Sequence, residues 1–272
     1  MAKGQEIEAR RATFARLHES GLFVMPNAWD AGSAKLLAWA GAPAVATTSS
    51  GHAASLGRVD QEVGREELFD HVAALVAAVD VPLSVDAERC FADDAQGVAD
   101  TVAALADLGA AGVSIEDYDP GTGAIDRLEV AVERVAAAAD AARGHGVVLT
   151  ARAENHLYGV DDLDDTIRRL RAYHGAGAAV VYAPGIRRAE AIRRMCDEIG
   201  APVNALLMPA MPSVPELAAL GVRRVSTGGA LAFAAYGAMV EAARELLGPG
   251  TAGYLAGSLD EASRRAAFLP PV

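Results

Sequence analysis

The chain alternates eight times between a short strand, a polar loop and a helix, and most of these helices are followed by a glycine. The predicted strands lie at residues 22–25, 44–47, 83–85, 113–115, 147–150, 179–182, 203–207 and 224–227. Strict alternation of strands and helices predicts a parallel sheet. Eight such units are the number that closes into an α/β, TIM-type (β/α)8 barrel. A doubly wound open sheet is the structural alternative, which differs in strand order.

The length of 272 residues suits one α/β barrel. A short helix at residues 5–20 precedes the first strand, and residues 248–272 form a tail with an added helix at 258–267. No linker or low-complexity segment divides the chain. We therefore expect a single domain over residues 1–272, with the barrel at about 21–247.

The formal net charge of −12 argues against a nucleic-acid partner, because phosphates would be repelled. No apolar run is long enough to span a bilayer. The N-terminal residues lack the apolar core of a signal peptide. Two cysteines, Cys90 and Cys196, do not form a disulfide framework. These features together predict a cytoplasmic protein without a membrane partner.

Acidic side chains follow successive predicted strands. Asp86 and Glu88 lie two residues apart at the exit of the strand at 83–85, so in extended backbone they point the same way. Glu116 ends the next strand, and Asp60 lies in an earlier loop. Converging carboxylates repel each other unless a cation compensates, and oxygen ligands suit Mg²⁺ held partly through water. The alternative is that these acids cap the following helices.

Two further groups could bind an anion. Arg152 ends an apolar strand and could hold a carboxylate by a bidentate fork, or it could pair with Glu154 or Glu116. The small-residue loop Thr48-Ser49-Ser50-Gly51 offers hydroxyl and N–H groups to an oxyanion, unless it is an ordinary Ser/Thr turn. We interpret Cys90 as a buried, inert thiol.

Six segments match the pattern of a known family in order and spacing. They are Thr47-Thr48-Ser49-Ser50, Ser55-Leu56-Gly57-Arg58-Val59-Asp60, Val81-Pro82-Leu83-Ser84-Val85-Asp86-Ala87-Glu88, Val113-Ser114-Ile115-Glu116-Asp117, Ala151-Arg152 and Gly221-Val222-Arg223-Arg224-Val225-Ser226. The chain resembles the isocitrate lyase/phosphoenolpyruvate mutase superfamily, and most closely its short-loop, phosphonomutase-like (carboxyvinyl-carboxyphosphonate phosphorylmutase-like) members.

The resemblance implies a barrel that binds Mg²⁺, with Mn²⁺ as a substitute, and a small pyruvate-like or oxaloacetate-like carboxylate. It implies the metal ligands Asp60, Asp86, Glu88 and Glu116. It implies that Thr48, Ser49, Ser50 and Arg152 bind the substrate. We also predict that Asp86 and Asn204, which lie at strand ends, bind the substrate, and that Arg152, Glu116 and Tyr118 have catalytic roles. Family members usually form tetramers with exchanged C-terminal helices, so we expect a homotetramer or homodimer in which the helix from Ala230 onward contacts a partner.

Two departures from the family pattern bear on the reaction. The loop Tyr118-Asp119-Pro120-Gly121-Thr122-Gly123 carries neither the catalytic cysteine of the lyases nor the Lys and Asn of the phosphonomutases. Cys90-Phe91-Ala92 replaces the family's Gly-Tyr-Gly after the acid pair.

The leading hypothesis is a Mg²⁺-dependent carbon–carbon lyase or decarboxylase that acts on a 2-oxo or 2-hydroxy acid through an enolate. The alternatives are a phosphonate or phosphoryl mutase or P–C hydrolase, and a non-catalytic 2-oxoacid-binding protein.

Overall fold

The computed structural model describes residues 3–269 and confirms the predicted barrel. Its parallel strands are β1 (Phe23–Met25, continued by Asn27–Ala28), β2 (Val45–Thr47), β3 (Leu83–Asp86), β4 (Gly112–Glu116), β5 (Val148–Arg152), β6 (Val180–Tyr182), β7 (Val203–Leu206) and β8 (Arg224–Ser226). Each strand pairs with the next in sequence order, and β1 closes the ring. The open doubly wound alternative is therefore excluded.

The barrel closes through the two halves of β1. Phe23 pairs with Arg224 of β8, whereas Asn27 pairs with Ala46 of β2. Pro26 separates the halves because it has no N–H to donate to a ladder. Its carbonyl still accepts a hydrogen bond from the Ala46 N–H at 3.0 Å, so the sheet stays continuous.

At least one helix follows each strand, as the alternation of strands and helices predicted. The helices are α1 (Lys3–Leu17), α2 (Ala31–Trp39), α3 (Ser49–Ser55), α4 (Arg65–Ala78), α5 (Ala95–Asp107), α6 (Leu128–His145), α7 (Leu163–Gly175), α8 (Ala189–Ile199), α9 (Val214–Ala219), α10 (Ala230–Leu247) and α11 (Glu261–Phe268). The expectation of a simple loop after β2 was wrong, since Thr48 caps α3 by accepting a hydrogen bond from the Gly51 N–H.

Helix α1 plugs the N-terminal end of the barrel. Phe14 is fully buried there against Phe23 and Val148. A Cβ on Gly112 would lie 2.4 Å from a Phe14 ring carbon, so this position of β4 has no room for a side chain. The plug leaves the opposite end of the barrel, where the strands' carboxyl ends meet, open for a site.

The interior above this plug is polar. Barrel interiors are usually filled by branched apolar side chains. Here the interior carries Ser84, Ser114, Thr150, Asn204 and Arg224, all buried or nearly so. The main apolar core instead lies between the outer faces of the strands and the surrounding helices.

The C-terminal segment after the barrel contains one short 3₁₀ turn and one more helix. Helix α10 is followed by a 3₁₀ turn, Gly253–Gly257, and by α11, which packs against α2. No helix within residues 3–269 is long and apolar enough to span a membrane.

Candidate active site

One cavity opens at the carboxyl ends of the strands and contains most of the predicted site. Seven of the predicted residues line it: Thr48, Ser49, Ser50, Asp60, Asp86, Arg152 and Asn204. Its volume is about 150 Å³, which is small beside the roughly 300–1,000 Å³ of sites for drug-sized ligands. A small organic acid would fit this space.

Arg152 forms the centre of the site. Its Nη1 donates to Asp86 Oδ1 at 2.6 Å, and its Nε donates to Glu154 Oε1 at 2.7 Å. Its Nη2 lies 3.1 Å from Glu116 Oε2. The register explains this grouping, because Glu116 and Arg152 are direct neighbours across β4 and β5.

The three carboxylates keep this buried arginine charged. Burial acts to lower the pKa of Arg152, but Glu154, Glu116 and Asp86 outweigh it and raise the pKa well above its usual value. The pKa of Glu116 is raised, since burial outweighs the attraction of Arg152. Only three of the five guanidinium N–H groups are used, so one N–H on each terminal nitrogen is free for a substrate oxygen.

The predicted metal ligands Asp60, Asp86 and Glu88 form an acidic patch beside Arg152. Burial, then the charges of Asp86 and Asp60, raise the pKa of Glu88 to about 8. Burial also raises the pKa of Asp60. The Ser49 N–H donates to Asp86 Oδ2 at 3.1 Å. This crowding of carboxylates is the electrostatic situation that a bound cation would relieve.

The carboxylates fit Mg²⁺ in a mode with few direct protein ligands. Within residues 3–269, no three His, Cys, Asp or Glu side chains are arranged to hold a metal ion by themselves. Mg²⁺ is often held by one or two carboxylates with water completing its shell. The oxygen-only donor set of Asp86 with Asp60 fits that mode. The assignment of the ligands stays a prediction.

A strained turn positions Glu88. Glu88, Cys90 and Phe91 have φ angles of 49°, 60° and 53°, a left-handed conformation that is unfavourable for residues other than glycine. This is the segment at which the sequence departs from the family's Gly-Tyr-Gly. The backbone of this segment therefore adopts the left-handed conformation that glycine favours, although these residues carry side chains. Cys90 is fully buried, and burial raises the pKa of its thiol to about 12.

Three predicted residues do not line the cavity. Glu116 lies behind Arg152 and accepts a hydrogen bond from Gln61 Nε2 at 3.1 Å. Glu88 faces a small adjoining pocket instead. Tyr118 belongs to a hairpin, Tyr118–Asp119 with Ala124–Ile125, and its ring stacks on Tyr158 with centroids 3.6 Å apart. Glu116 contacts Arg152 directly, whereas Glu88 and Tyr118 are not among the residues that line this cavity.

Three residues that were not predicted to belong to the site also line the cavity. Ser84, Ser114 and Arg224 line the lower part of the cavity. Asn204, which was predicted to bind substrate, donates to Ser226 Oγ and accepts from Arg224 Nε, both at 2.9 Å. The signal for Arg224 was its place two residues before Ser226, since alternate residues of a strand face the same side.

Comparisons with known proteins point to one family. The model of the phosphoenolpyruvate phosphomutase family matches residues 14–247. The uncharacterized protein Rv1998c of Mycobacterium tuberculosis H37Rv is 33% identical over 85% of this chain and 88% of its own.

The 2-methylisocitrate lyase of Escherichia coli K12 is 31% identical over 65% of this chain and 62% of the enzyme. A crystal structure of a proposed lyase or mutase from Burkholderia cenocepacia J2315 superposes with a TM-score of 0.94, at 46% identity, over 98% of both chains. The chain belongs to the phosphoenolpyruvate phosphomutase family, within the isocitrate lyase/phosphoenolpyruvate mutase superfamily.

Proposed function

We propose that the protein is a Mg²⁺-dependent carbon–carbon lyase that acts on a small 2-oxo or 2-hydroxy carboxylate through an enolate. The observation that carries this proposal is Arg152, held by Asp86, Glu116 and Glu154 at the edge of a small cavity. A guanidinium fixed in this way is oriented before the substrate arrives. Fixed charges of this kind stabilise the negative charge that develops in a transition state.

Arg152 has a defined task in this scheme. Its free N–H groups would hold a substrate carboxylate or the oxygen that becomes the enolate oxygen. The hydroxyl groups of Ser49 and Ser50 line the same cavity and would hold the other oxygens of the pyruvoyl end. The three acids keep the guanidinium charged and fix its orientation, because each of its three nitrogens contacts one carboxylate.

Asp86 is the best-placed ligand for Mg²⁺, with Asp60, Glu88 and Glu116 acting directly or through water. When bound, the ion would polarise the substrate carbonyl and stabilise the enolate. Asp86 then has two partners, Arg152 and the ion, so it would join the cation to the substrate-binding arginine.

The composition of the hairpin that begins at Tyr118 favours some carbon–carbon cleavage reactions over others. Residues 119–123 contain no Cys, Lys or His that could act as a proton donor above the site. Loss of CO₂ from a 2-oxo dicarboxylate does not require an acid or base from this loop. The carbon–carbon bond breaks without a base, and the enolate that remains takes a proton from water. The E. coli relative, a 2-methylisocitrate lyase, supports carbon–carbon cleavage as the reaction class.

We further propose that the protein assembles through its C-terminal helices. Helix α10 exposes large apolar side chains, with Phe233 54% and Met239 60% exposed and Leu247 84% exposed. Such surfaces on a soluble chain usually mark a protein interface. A second copy of the chain is the occupant that fits the predicted exchange of helices.

The test of the proposed function is calorimetric titration with oxalate, a planar dianion that resembles the enolate of pyruvate. We expect binding that requires Mg²⁺. Equal binding with Mg²⁺ or with EDTA would contradict the role of the metal, and the absence of binding would contradict the acid-binding cavity.

A further inference from the structure

Arg224 is a buried cation with only neutral partners. The residue is 2% exposed. Its Nε donates to Asn204 Oδ1 at 2.9 Å and its Nη2 donates to Thr150 Oγ1 at 2.9 Å. Its Nη1 lies 3.2 Å from His18 Nε2. Within residues 3–269, no carboxylate oxygen lies within 4.0 Å of its guanidinium.

His18 contributes no charge to this group. Its Nδ1 lies 2.8 Å from the carbonyl oxygen of Phe14, which can only accept, so Nδ1 carries the proton. Nε2 therefore accepts from Arg224. Burial, and then the charge of Arg224, lower the pKa of His18 to about 3, so the ring is neutral at pH 7.

By contrast, the buried Arg134 and the partly buried Arg169 each lie within 4.0 Å of a carboxylate. Arg169 pairs with Asp117 at 3.2 Å and Arg134 with Asp126 at 3.8 Å. Burial lowers the pKa of Arg224 to about 10, which still leaves it charged at neutral pH. An isolated buried charge is costly unless something of opposite charge compensates it. Among the described residues, Arg224 therefore lacks the anionic partner that would compensate its charge.

An anionic ligand could reach Arg224 through the cavity. Arg224 lines its lower part together with the hydroxyl-bearing Ser84, Ser114 and Ser226. Three of the five guanidinium N–H groups have partners, so two are free. Arg152 lies at the upper end of the same cavity.

We propose that Arg224, with Ser84, Ser114 and Ser226, forms a second anion-binding subsite, and that the substrate is a dicarboxylate with one carboxylate at Arg152 and the other at Arg224. This inference rests on the proposed function, since it assumes that an acid occupies the cavity. It assigns a specificity role to a residue that lies below the reacting end of the substrate.

The test compares two ligands that differ only at the distal end. Malate and 2-hydroxybutyrate share a 2-hydroxy carboxylate, but malate has a second carboxylate where 2-hydroxybutyrate has a methyl group. We expect the wild-type protein with Mg²⁺ to bind malate about tenfold or more tightly than 2-hydroxybutyrate in calorimetry, which is the usual effect of one charged hydrogen bond. Equal affinities would overturn the subsite and leave the proposed function standing. If neither acid binds, the acid-binding cavity fails and the subsite fails with it.

Variants test whether Arg224 is the residue that causes the preference for malate over 2-hydroxybutyrate. Arg224→Met should remove the preference for malate while binding of 2-hydroxybutyrate is retained, and Arg224→Lys should keep part of the preference. Arg223→Met is the matched control, because the neighbouring Arg223 contacts the Gly21 carbonyl at the surface. A preference that persists in Arg224→Met would place the second carboxylate elsewhere and overturn the proposal. If Arg224→Met fails to fold, the wild-type comparison and Arg224→Lys still decide the question.

Discussion

The guanidinium of Arg152 donates to a carboxylate oxygen of Asp86 at 2.6 Å, although 66 positions separate the two residues. The contact joins β5 to β3 across the top of β4. It links the residue we expect to bind Mg²⁺ to the residue we expect to bind the substrate carboxylate.

Arg152→Lys should weaken oxalate binding by about tenfold or more, because an ammonium group cannot make a bidentate contact while pairing with three carboxylates. Calorimetry in the presence of Mg²⁺ measures the effect. Arg168→Lys is the control, since Arg168 pairs with Asp165 on the surface of α7. An affinity equal to that of the wild type would place the anion away from Arg152.

Asp86→Asn should lower the affinity for Mg²⁺ by about tenfold or more, because an amide oxygen keeps the shape of the ligand but loses its charge. Direct titration with MgCl₂ measures it. The variant Glu19→Gln removes the same charge from an exposed position far from the cavity and should bind as the wild type does. Unchanged affinity in Asp86→Asn would remove Asp86 from the metal site.

Gly112→Ala should lower the free energy of unfolding by about 1–3 kcal/mol, the usual cost of overpacking a core. The added methyl group would meet the Phe14 ring at 2.4 Å and Ser84 Oγ at 2.8 Å. Urea denaturation measures the loss. Gly144→Ala, in α6, meets nothing within 4 Å and should cause no loss. Equal stability of both variants would show that α1 does not plug the barrel tightly.

His71 should make stability depend on pH. Burial, and then the charge of the stacked His52, lower the pKa of His71 to about 3. The folded pKa is below the unfolded value of about 6.5, so the unfolded state takes up a proton first as the pH falls. The stabilisation is complete above about pH 6.5 and is lost at about 1.4 kcal/mol per pH unit below it.

The substitution His71→Phe would keep an aromatic ring at this position but remove the titratable group. Denaturation of the wild type and of His71→Phe at pH 7 and pH 5.5 should therefore show a smaller loss in the variant. His18 contributes in the same direction in both proteins, so the difference isolates His71. An identical pH dependence would mean that His71 is protonated in the folded state.

Sedimentation velocity at micromolar concentration should show a dimer or tetramer. Charges placed on α10 by Met239→Glu and Leu247→Glu should shift the protein toward the monomer, because both side chains are mostly exposed in the single chain. Val130→Glu, on the exposed side of α6, is the control and should not change the mass. A monomeric wild type would contradict the proposed assembly.

The strands were predictable because most of them are short apolar runs that follow a glycine and lead into a polar loop. Strand β7, for example, was expected at 203–207 and is found at Val203–Leu206. Helix α3 was not predicted, because its first residues, Ser49-Ser50-Gly51, are weak helix formers. Its formation depends on the cap that Thr48 supplies.

The site was predictable to the extent that it depends on strand ends. Asp86 and Arg152 end parallel strands, whose carboxyl ends meet at one edge, and the structure places them in contact. Arg224 was not selected because it begins a strand. Its importance depends on its contact with Asn204 and on the absence of a nearby carboxylate among residues 3–269, and neither is visible in local sequence.

The most direct test of the proposed lyase is a turnover assay by NMR with a panel of 2-oxo and 2-hydroxy acids that includes oxaloacetate, malate and phosphonopyruvate. Each acid is incubated with the wild type, with Arg152→Lys, and without enzyme, in Mg²⁺ and in EDTA. We predict carbon–carbon cleavage that needs Mg²⁺, exceeds the uncatalysed rate, and is lost in Arg152→Lys. Cleavage of the P–C bond alone, or Mg²⁺-dependent binding of these acids without any turnover, would contradict a carbon–carbon lyase.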